Sequence, residues 1–482
     1  MEISKPHAVL LSSPGMGHLI PVIELGKNLV MHHNFDVTVF VVQTHASISQ
    51  SQLLELSPDP NLINIVLLPP VDISDIVQPT TLILTQLAMM MRKALPSLRS
   101  EISSMKIRPT VLIVDLFGTE AFAMANEFRM LKYVFITSTA WFLALTIYLP
   151  TIDRGEEDEH VNNQEPLNIP GCFPVRFKDT FEPLVNRDDQ IYVEYVRMGK
   201  EISMADGILV NTWRNLEPKT LRALEDPKML GRLTHAPVYP VGPLVRPVNP
   251  GSTSEVLTWL DVQPNESVVY VSFGSGGTLS AKQTTELAAG LELSQLRFLW
   301  VVRPPFEYDA AAALFRMGER CDETPSYLPD GFLTRTRERG LVVPTWAPQA
   351  EILDHPSIGG FVSHCGWNSS LESIVNGVPM VTWPLYAEQR MNAAMLTEEV
   401  GVAIRVEVLS GKEVVGREEI AAAVTKIMVE KEGEEIRVRA KTLKSTAKNA
   451  LSKGGSSYKA MDVLADECNN YQRCIQGRAL GA

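Results

Sequence analysis

One short stretch of the sequence concentrates side chains that can bind an anion. Residues 361–384 read FVSHCGWNSSLESIVNGVPMVTWP, an apolar β-branched run followed directly by a helical pattern. The N-terminus of a helix presents unpaired N–H groups and a partial positive charge, and Gly366 lets a ligand approach its backbone closely. Ordinary helix capping would explain one polar residue here. The excess favours a phosphate site formed by His364, Asn368, Ser369 and Ser370.

Two further residues near this helix suit a nucleoside. Glu372 lies three and four residues after Ser369 and Asn368, so it shares their helix face. A carboxylate there would repel a phosphate, but it could accept hydrogen bonds from two ribose hydroxyls. Trp346 ends a predicted strand and could stack on a base, although ordinary core packing is the simpler explanation of that residue taken alone.

The spacing of the glycine-rich turns indicates which classes of nucleotide could bind. The turn FGSGG (273–277) follows a predicted strand and offers Ser275 and backbone N–H groups to a diphosphate, though such turns are common. SPGMGHL (13–19) begins like a dinucleotide fingerprint, but Ile20 stands where the third glycine is required. An NAD-dependent oxidoreductase is therefore disfavoured. The sequence also contains no G-x-x-x-x-G-K-[ST] phosphate loop.

A histidine and an aspartate occupy the ends of two other predicted strands. His18 lies in the turn after the first strand, and Asp115 ends the strand TVLIVD (110–115). A carboxylate that holds a histidine selects its tautomer and stabilises the imidazolium, which suits a general base near neutral pH. A structural histidine beside a strand-end capping aspartate would have the same spacing, so the residues by themselves leave both interpretations open.

The elements that must position these residues alternate between strands and helices. Short β-branched runs separated by amphipathic stretches indicate parallel sheets with both faces covered. The pattern stops in a Pro, Gly and Ser-rich segment and then restarts, which predicts an α/β protein of two Rossmann-like domains with ligands in the cleft between them. The predicted parts are an N-terminal domain over 1–240, a linker over 241–254, a second domain over 255–460, and a C-terminal helix or tail over 461–482 that packs back on the first domain.

Composition excludes several classes of function. The 482 residues carry a net charge of −12, which disfavours nucleic acid and anionic membranes as partners. Five scattered cysteines without a C-x-x-C pair predict reduced thiols, no metal site and a cytoplasmic location. The most apolar stretch, 133–149, is shorter than the about 20 residues of a membrane span and predicts a strand and a core helix. The acidic segment 153–166 has no apolar period and predicts a solvated loop.

At residues 346–389 the sequence resembles a known family. WAPQAEILDHPSIGGFVSHCGWNSSLESIVNGVPMVTWPLYAEQ is similar, without gaps, to the signature box of plant secondary-product UDP-glycosyltransferases. The resemblance extends over essentially the whole chain, including VDLFG (114–118), VYPVGPL (238–244) and YVSFGSGGTL (270–279). It is closest to the subgroup that glucosylates small phenols such as hydroquinone, monolignols and coumarins. The family fold is GT-B, two Rossmann-like domains that face a cleft.

The resemblance also implies roles for individual residues. Trp346 would stack on uracil, and the backbone of Ala347 would read its edge. Gln349 and Glu372 would bind the ribose, and His18 with Asp115 would form the general base. The diphosphate would be held by Ser275, His364, Asn368 and Ser369, and the sugar by Trp367, Glu388 and Gln389, whose final Gln goes with glucose.

The reaction implied is a direct displacement. His18 would take the proton of a phenolic hydroxyl as its oxygen attacks the anomeric carbon of UDP-glucose, giving a β-glucoside without a metal or other cofactor. The acceptor pocket is expected in the first domain near Phe117, Trp141, Phe142 and the Met-rich residues 88–91, each of which could equally be core. A monomer is expected. Flavonoids, terpenoids or hormones as acceptors, or a non-catalytic UDP-sugar-binding protein, remain alternatives.

Overall fold

A computed structural model describes residues 5–43, 62–77, 81–152, 154–184, 187, 189–249, 251–306, 327–406 and 413–480. The chain forms two compact units. The first comprises Met1–Val245 and Asn449–Ala482, and the second comprises Arg246–Lys448. The predicted linker over 241–254 contains this change of unit. The predicted second domain ran to residue 460, so residues 449–460 fall in the first unit instead.

The first unit is built on a seven-stranded parallel sheet with the order β3-β2-β1-β4-β5-β6-β7. Six of the strands are apolar runs that the sequence predicts, and the short seventh, β7, lies where the sequence predicts only the start of the Pro-rich segment. The strands are β1 (His7–Ser12), β2 (Asp36–Val41), β3 (Asn64–Leu67), β4 (Val111–Asp115), β5 (Leu131–Ile136), β6 (Gly207–Val210) and β7 (Val238–Pro240).

The second unit repeats this arrangement with six strands in the order β10-β9-β8-β11-β12-β13. Both sheets therefore have the doubly wound order in which the first strand of the unit lies centrally, beside the fourth. The predicted α/β class with two Rossmann-like sheets is confirmed. The strands are β8 (Val268–Ser272), β9 (Arg297–Val302), β10 (Gly340–Pro344), β11 (Ile358–Ser363), β12 (Met380–Thr382) and β13 (Ala403–Arg405).

Helices connect the strands because parallel neighbours require a crossover. In the first unit they are α1 (Met16–His33), α2 (Ile83–Ser104), α3 (Phe122–Glu127), α4 (Ala140–Tyr148), α5 (Arg154–Asn163), α6 (Gln190–Ile202), α7 (Pro218–Glu225) and α8 (Gly231–Thr234). They continue as α9 (Glu255–Asp261), α10 (Ala281–Ser294), α11 (Phe332–Thr336), α12 (Gln349–Asp354), α13 (Trp367–Asn376), α14 (Gln389–Ala394), α15 (Arg417–Val429), α16 (Lys431–Leu451) and α17 (Ser456–Leu480).

The strand order determines where a ligand site can form in each unit. At the centre of each sheet the chain order reverses, between β1 and β4 in the first unit and between β8 and β11 in the second. Turns leave the carboxyl ends of two such strands in opposite directions, which opens a crevice suited to ligands. His18 follows β1 and Asp115 ends β4, whereas Ser275 follows β8 and His364 follows β11. The sequence-predicted polar residues thus lie at both reversal points.

The apolar stretch over 133–149 is an internal strand and helix, as predicted. β5 and α4 are buried almost throughout. No helix among the described residues is long and apolar enough to cross a membrane. Cys172, Cys365, Cys468 and Cys474 carry free thiols, and Cys321 lies outside the described residues.

The structure of the acidic segment 153–166 differs from the sequence prediction. It was expected to be a solvated loop, but its described part contains the helix α5. Two of its polar residues are buried: His160 is 3% exposed and Glu157 is 7% exposed. The His160 imidazole lies 2.6 Å from the Thr180 hydroxyl, and Glu157 forms an ion pair with Arg187 at 3.0 Å. Polar partners from distant residues stabilise this helix, so an apolar period could not reveal it.

Candidate functional site

In the first unit the structure brings His18 and Asp115 together. His18 is in the first turn of α1, and Asp115 is the last residue of β4. The His18 Nδ1 atom lies 3.2 Å from Asp115 Oδ2. The imidazole side chain is 23% exposed, whereas the carboxylate is fully buried. A buried carboxylate in contact with a partly exposed imidazole is the arrangement that a general base requires.

Neighbouring donors hold the Asp115 carboxylate in place. The Ser13 N–H donates to Oδ2 at 2.8 Å, and the Ser13 hydroxyl donates to Oδ1 at 2.6 Å. The N–H of Phe117 donates to Oδ1 at 3.2 Å, so Asp115 also caps the short 3₁₀ turn that follows β4. Because the carboxylate can only accept, its contact with His18 selects the tautomer with the proton on Nδ1. Nε2 is then the basic nitrogen.

The aromatic residues expected around an acceptor are all buried in the first unit. The Phe117 ring meets the His18 imidazole edge-on, with ring centroids 5.5 Å apart. Phe142 packs against Phe181, with centroids 5.2 Å apart, and is 4% exposed. Trp141 is 2% exposed. Of the three aromatic residues, Phe117 is the one that the structure places beside His18, and the Met-rich residues 88–91 form part of α2.

In the second unit two glycines enclose the His364 ring. A Cβ atom at Gly274 would lie 2.5 Å from His364 Nε2, and one at Gly366 would lie 2.4 Å from the same atom. Such distances are too short for any side chain, so both turns require glycine here. The contact places the turn after β8, which contains the exposed Ser275, beside the N-terminus of α13. The two predicted phosphate-binding turns are therefore neighbours.

The start of α13 has two features of an anion site. Its N-cap residue is Gly366, which has no side chain to cap the N–H groups of the first turn. Burial, together with the nearby positive charge of Arg303, lowers the pKa of His364 to about 4. His364 is thus neutral near pH 7. A neutral imidazole still carries one N–H donor, and its Nδ1 atom has no hydrogen-bond partner among the described residues.

The two predicted ribose-binding side chains, Gln349 and Glu372, belong to one hydrogen-bonded group with the predicted phosphate-binding residue Ser369. The amide nitrogen of Gln349 donates to Glu372 Oε2 at 2.7 Å and to the Ser369 hydroxyl at 2.9 Å. The Tyr270 hydroxyl donates to the amide oxygen of Gln349 at 3.3 Å. Burial raises the pKa of Glu372 to about 7, while the bond from Gln349 opposes that rise. A carboxylate that is only half ionised near neutrality gains from hydroxyl donors, which a ribose can provide.

Trp346 does not belong to the core. Its side chain is 58% exposed, although it directly follows a strand turn and precedes the buried Ala347, which is 6% exposed. The preceding residue, Thr345, has a φ of 60°. This left-handed conformation turns the chain at the end of β10. An exposed indole at the carboxyl edge of the sheet can stack on a base, and core packing no longer explains this residue.

The remaining predicted donor residues lie in the first turn of α13 and after β12. Trp367 is the first residue of α13 and is 3% exposed, and Asn368 follows it half-buried. The side-chain oxygen of Gln389 accepts from the N–H groups of Leu385 and Tyr386, at 2.9 and 3.1 Å. Its oxygen is thus occupied, so Gln389 can offer a sugar hydroxyl only its amide donors. Glu388 precedes it as the N-cap residue of α14 and is half-buried.

Sequence reasoning missed several residues of these sites. Ser13 was noted only as part of a turn, yet it makes two hydrogen bonds to Asp115. Arg303 and Tyr270 were not singled out at all. Position in the sequence could have identified two of them. Ser13 immediately follows β1 and Arg303 immediately follows β9, at the carboxyl edges of the sheets where the other candidate residues lie. Within the described part of the chain, no group of three His, Cys, Asp or Glu side chains is placed to hold a metal ion.

Comparisons with known proteins agree with this architecture. Residues 240–443 match the family described as UDP-glucoronosyl and UDP-glucosyl transferase. The chain is 54% identical to anthocyanidin 3-O-glucosyltransferase 5 of Manihot esculenta, over 96% of each chain. It is 45% identical to hydroquinone glucosyltransferase of Rauvolfia serpentina, over 96% of this chain and 97% of that one.

A solved structure also resembles the chain over almost its full length. Phytolacca americana UGT2, complexed with UDP-2-fluoro-glucose and pterostilbene, superposes with a TM-score of 0.84 at 40% identity. The match covers 97% of this chain and all of that one.

Proposed function

The chain belongs to the UDP-glucoronosyl and UDP-glucosyl transferase family, and we propose that it is an inverting UDP-glucose-dependent glucosyltransferase that acts on the hydroxyl of small phenolics. It has the GT-B fold of its relatives and is a UDP-glycosyltransferase. The observation that carries the proposed mechanism is the contact of the buried Asp115 carboxylate with His18 Nδ1 at 3.2 Å. The donor, the acceptor class and the residue roles below are parts of the proposal.

His18 acts as the general base in this proposal. Its Nε2 atom takes the proton of the acceptor hydroxyl while the phenolic oxygen forms a bond to the anomeric carbon of glucose. Asp115 stabilises the imidazolium that results, because its carboxylate is buried and held by Ser13 and Phe117. The bond between the anomeric carbon and the β-phosphate oxygen breaks in the same step, so the α-linked donor yields a β-glucoside.

The second unit binds the donor. Trp346 stacks on uracil with the Ala347 backbone at its edge, and Gln349 with Glu372 binds the ribose. Ser275, His364, Asn368 and Ser369 hold the diphosphate, whose charge increases as UDP leaves and is stabilised by the α13 N-terminus. Trp367, Glu388 and Gln389 bind the glucose. No step in this proposal uses a metal ion.

The acceptor class rests on relatives and on one contact. Two of the relatives are named for phenolic substrates, an anthocyanidin and hydroquinone, and one solved complex contains the phenol pterostilbene. In this chain Phe117 lies beside His18, so an aromatic acceptor could pack against its ring while its hydroxyl meets Nε2. A flavonoid acceptor is the second candidate, because the relative with 54% identity is named for an anthocyanidin.

A screen of acceptors tests this proposal. The full chain is incubated with UDP-glucose and a panel of hydroquinone, coumarin, monolignol, flavonoid, terpenoid and hormone acceptors, and the products are identified by mass and by the anomeric coupling constant. We expect β-glucosides of the small phenols to form fastest. Transfer confined to terpenes or hormones would refute the phenolic class, and UDP binding without transfer to any acceptor would refute catalysis.

The variant His18→Ala tests the base within the same screen. We expect turnover to fall at least ~100-fold, the usual scale of a lost general base, while the affinity for UDP stays nearly unchanged. The loss should be smaller for a strongly acidic phenol that is already ionised at the assay pH. Unchanged turnover would contradict the role given to His18.

A further inference from the structure

Arg303 is a cation in the second unit that has no carboxylate partner among the described residues. It immediately follows β9, and its guanidinium donates to the backbone carbonyl of Thr345 at 3.0 Å and also to that of Gly274. Burial lowers the pKa of its guanidinium. A charge removed from water costs free energy unless an opposite charge accompanies it. The two carbonyls solvate this cation but do not neutralise it.

The two carbonyls belong to turns that contain donor-binding residues. Gly274 precedes Ser275 in the turn after β8, and Thr345 precedes Trp346 in the turn after β10. One guanidinium thus connects the proposed diphosphate turn to the proposed uracil turn. Arg303 is also close enough to His364 to disfavour a second positive charge on its imidazole. Its other electrostatic neighbours are the hydroxyls of Tyr270 and Tyr386, which add no anion near neutral pH.

We propose that Arg303 is a positioning residue of the donor site, joining the diphosphate turn to the uracil turn and providing the positive charge that selects an anionic diphosphate over an uncharged nucleoside. The inference rests on the proposed function, since it assumes UDP as the ligand. It deepens that function by assigning the preference for the diphosphate to a side chain outside the 346–389 segment.

The geometry separates this inference from a purely structural role. A residue that only connected two turns would need donors but no charge, and a neutral amide would suit a buried site better than a cation. The free protein keeps a half-buried cation beside the turn that carries Ser275 and beside the α13 N-terminus. An arriving diphosphate supplies the missing opposite charge at that place, so the electrostatic gain appears only when the ligand is charged.

Three variants and two ligands test the inference. Dissociation constants for UDP and for uridine are measured by calorimetry on the wild type, Arg303→Met and Arg303→Lys. Arg335→Met is the matched control, because Arg335 lies in the same unit on the surface and pairs with Glu292. Circular dichroism and thermal melts show whether each variant is folded.

The expected result is a change in the ratio of UDP affinity to uridine affinity. Arg303→Met should lower this ratio about tenfold or more, which corresponds to roughly 1.4 kcal/mol. Arg303→Lys keeps the charge but cannot donate to both carbonyls from a planar fork, so uridine should bind more weakly while the ratio stays near that of the wild type. Arg335→Met should change neither constant.

Other outcomes have distinct meanings. If Arg303→Met loses affinity for UDP and for uridine by the same factor, Arg303 only connects the two turns, and the inference is overturned. If Arg303→Met does not fold, the test rests on Arg303→Lys, which keeps the positive charge. A ratio of UDP affinity to uridine affinity below that of the wild type in this folded variant would then overturn the inference. A wild-type protein that binds neither UDP nor uridine would refute the proposed donor itself, which is a separate failure.

Discussion

At the residue scale, burial shifts two titrating groups of the proposed donor site towards their neutral forms. It lowers the pKa of His364 to about 4 and raises the pKa of Glu372 to about 7. Both groups lie within nine residues of sequence around the first two turns of α13. Without a ligand, the site at neutral pH therefore combines a neutral imidazole with a partly protonated carboxyl group. The proposed ribose contact requires the ionised carboxylate as acceptor.

This pKa predicts that nucleoside binding depends on pH. Uridine is the suitable probe, because it has no phosphate that titrates in this range. Since Glu372 must be ionised to accept from two hydroxyls, uridine should bind about tenfold more weakly at pH 6 than on the plateau above pH 8, one unit on either side of the pKa. Calorimetry across pH 5.5 to 8.5, an assay range of about three units, measures the profile.

The control for this prediction is Glu372→Gln, which removes the titrating group but keeps the size of the side chain. Its uridine affinity should be lower than the wild-type plateau and flat across the same range. A wild-type profile without any slope near neutrality would show that Glu372 does not bind the ribose as a carboxylate.

At the element scale, the proposed donor site is a set of turns at the carboxyl ends of neighbouring strands. The turn after β8 and the turn between β11 and α13 can approach only because glycines face the His364 ring. Gly366 has a φ of −57°, which any residue can adopt. Its requirement for glycine is therefore one of space and not of backbone conformation.

Gly366→Ala should damage the site more than the fold. The added methyl group must displace the His364 ring, an overpacking cost of about 1–3 kcal/mol. We expect UDP affinity to fall about tenfold or more while the sheet remains intact by circular dichroism. Gly251→Ala is the matched control, since the nearest atom to its new Cβ is Asn249 Oδ1 at 3.6 Å. Unchanged UDP affinity in Gly366→Ala would contradict the placement of His364 in the diphosphate site.

At the scale of the whole molecule, the chain returns to its first unit at the C-terminus. The hydroxyl of Ser457 donates to the Gly242 carbonyl at 2.5 Å, and the Tyr239 hydroxyl donates to Glu467 at 2.7 Å. The Tyr133 hydroxyl donates to the same carboxylate. The buried face of α17 completes the core of the first unit with Met461, Leu464, Ala465 and Cys468.

Leu464→Ala should measure how much α17 stabilises the first unit. Leu464 is fully buried, so its truncation should reduce the free energy of unfolding by about 2–5 kcal/mol. The adjacent Val463 is 45% exposed, and Val463→Ala should change stability by no more than about 0.5 kcal/mol. Urea denaturation of the two variants makes the comparison. Equal effects would show that α17 does not contribute its apolar face to the core.

Much of this protein could be predicted from its sequence because the signals are local. Runs of β-branched residues set the strands, and their alternation with helices determined the α/β class. The proposed donor-binding segment 346–389 is contiguous, so Gln349 and Glu372 can be recognised together from the sequence, and the structure joins them by a hydrogen bond. Their roles as ligand-binding residues remain predictions.

Tertiary structure decided what depends on residues that are distant in sequence. His18 and Asp115 lie on separate strands, and only the central pairing of β1 with β4 brings them into contact. The exposure of Trp346, the carbonyl contacts of the half-buried Arg303 and the helix in the acidic segment likewise depend on partners that periodicity cannot detect. The sequence by itself determined most of the elements, since propensity and patterning act over a few residues, but it did not predict α5. The packing of those elements decided which side chains meet, because burial and hydrogen bonding act across the fold.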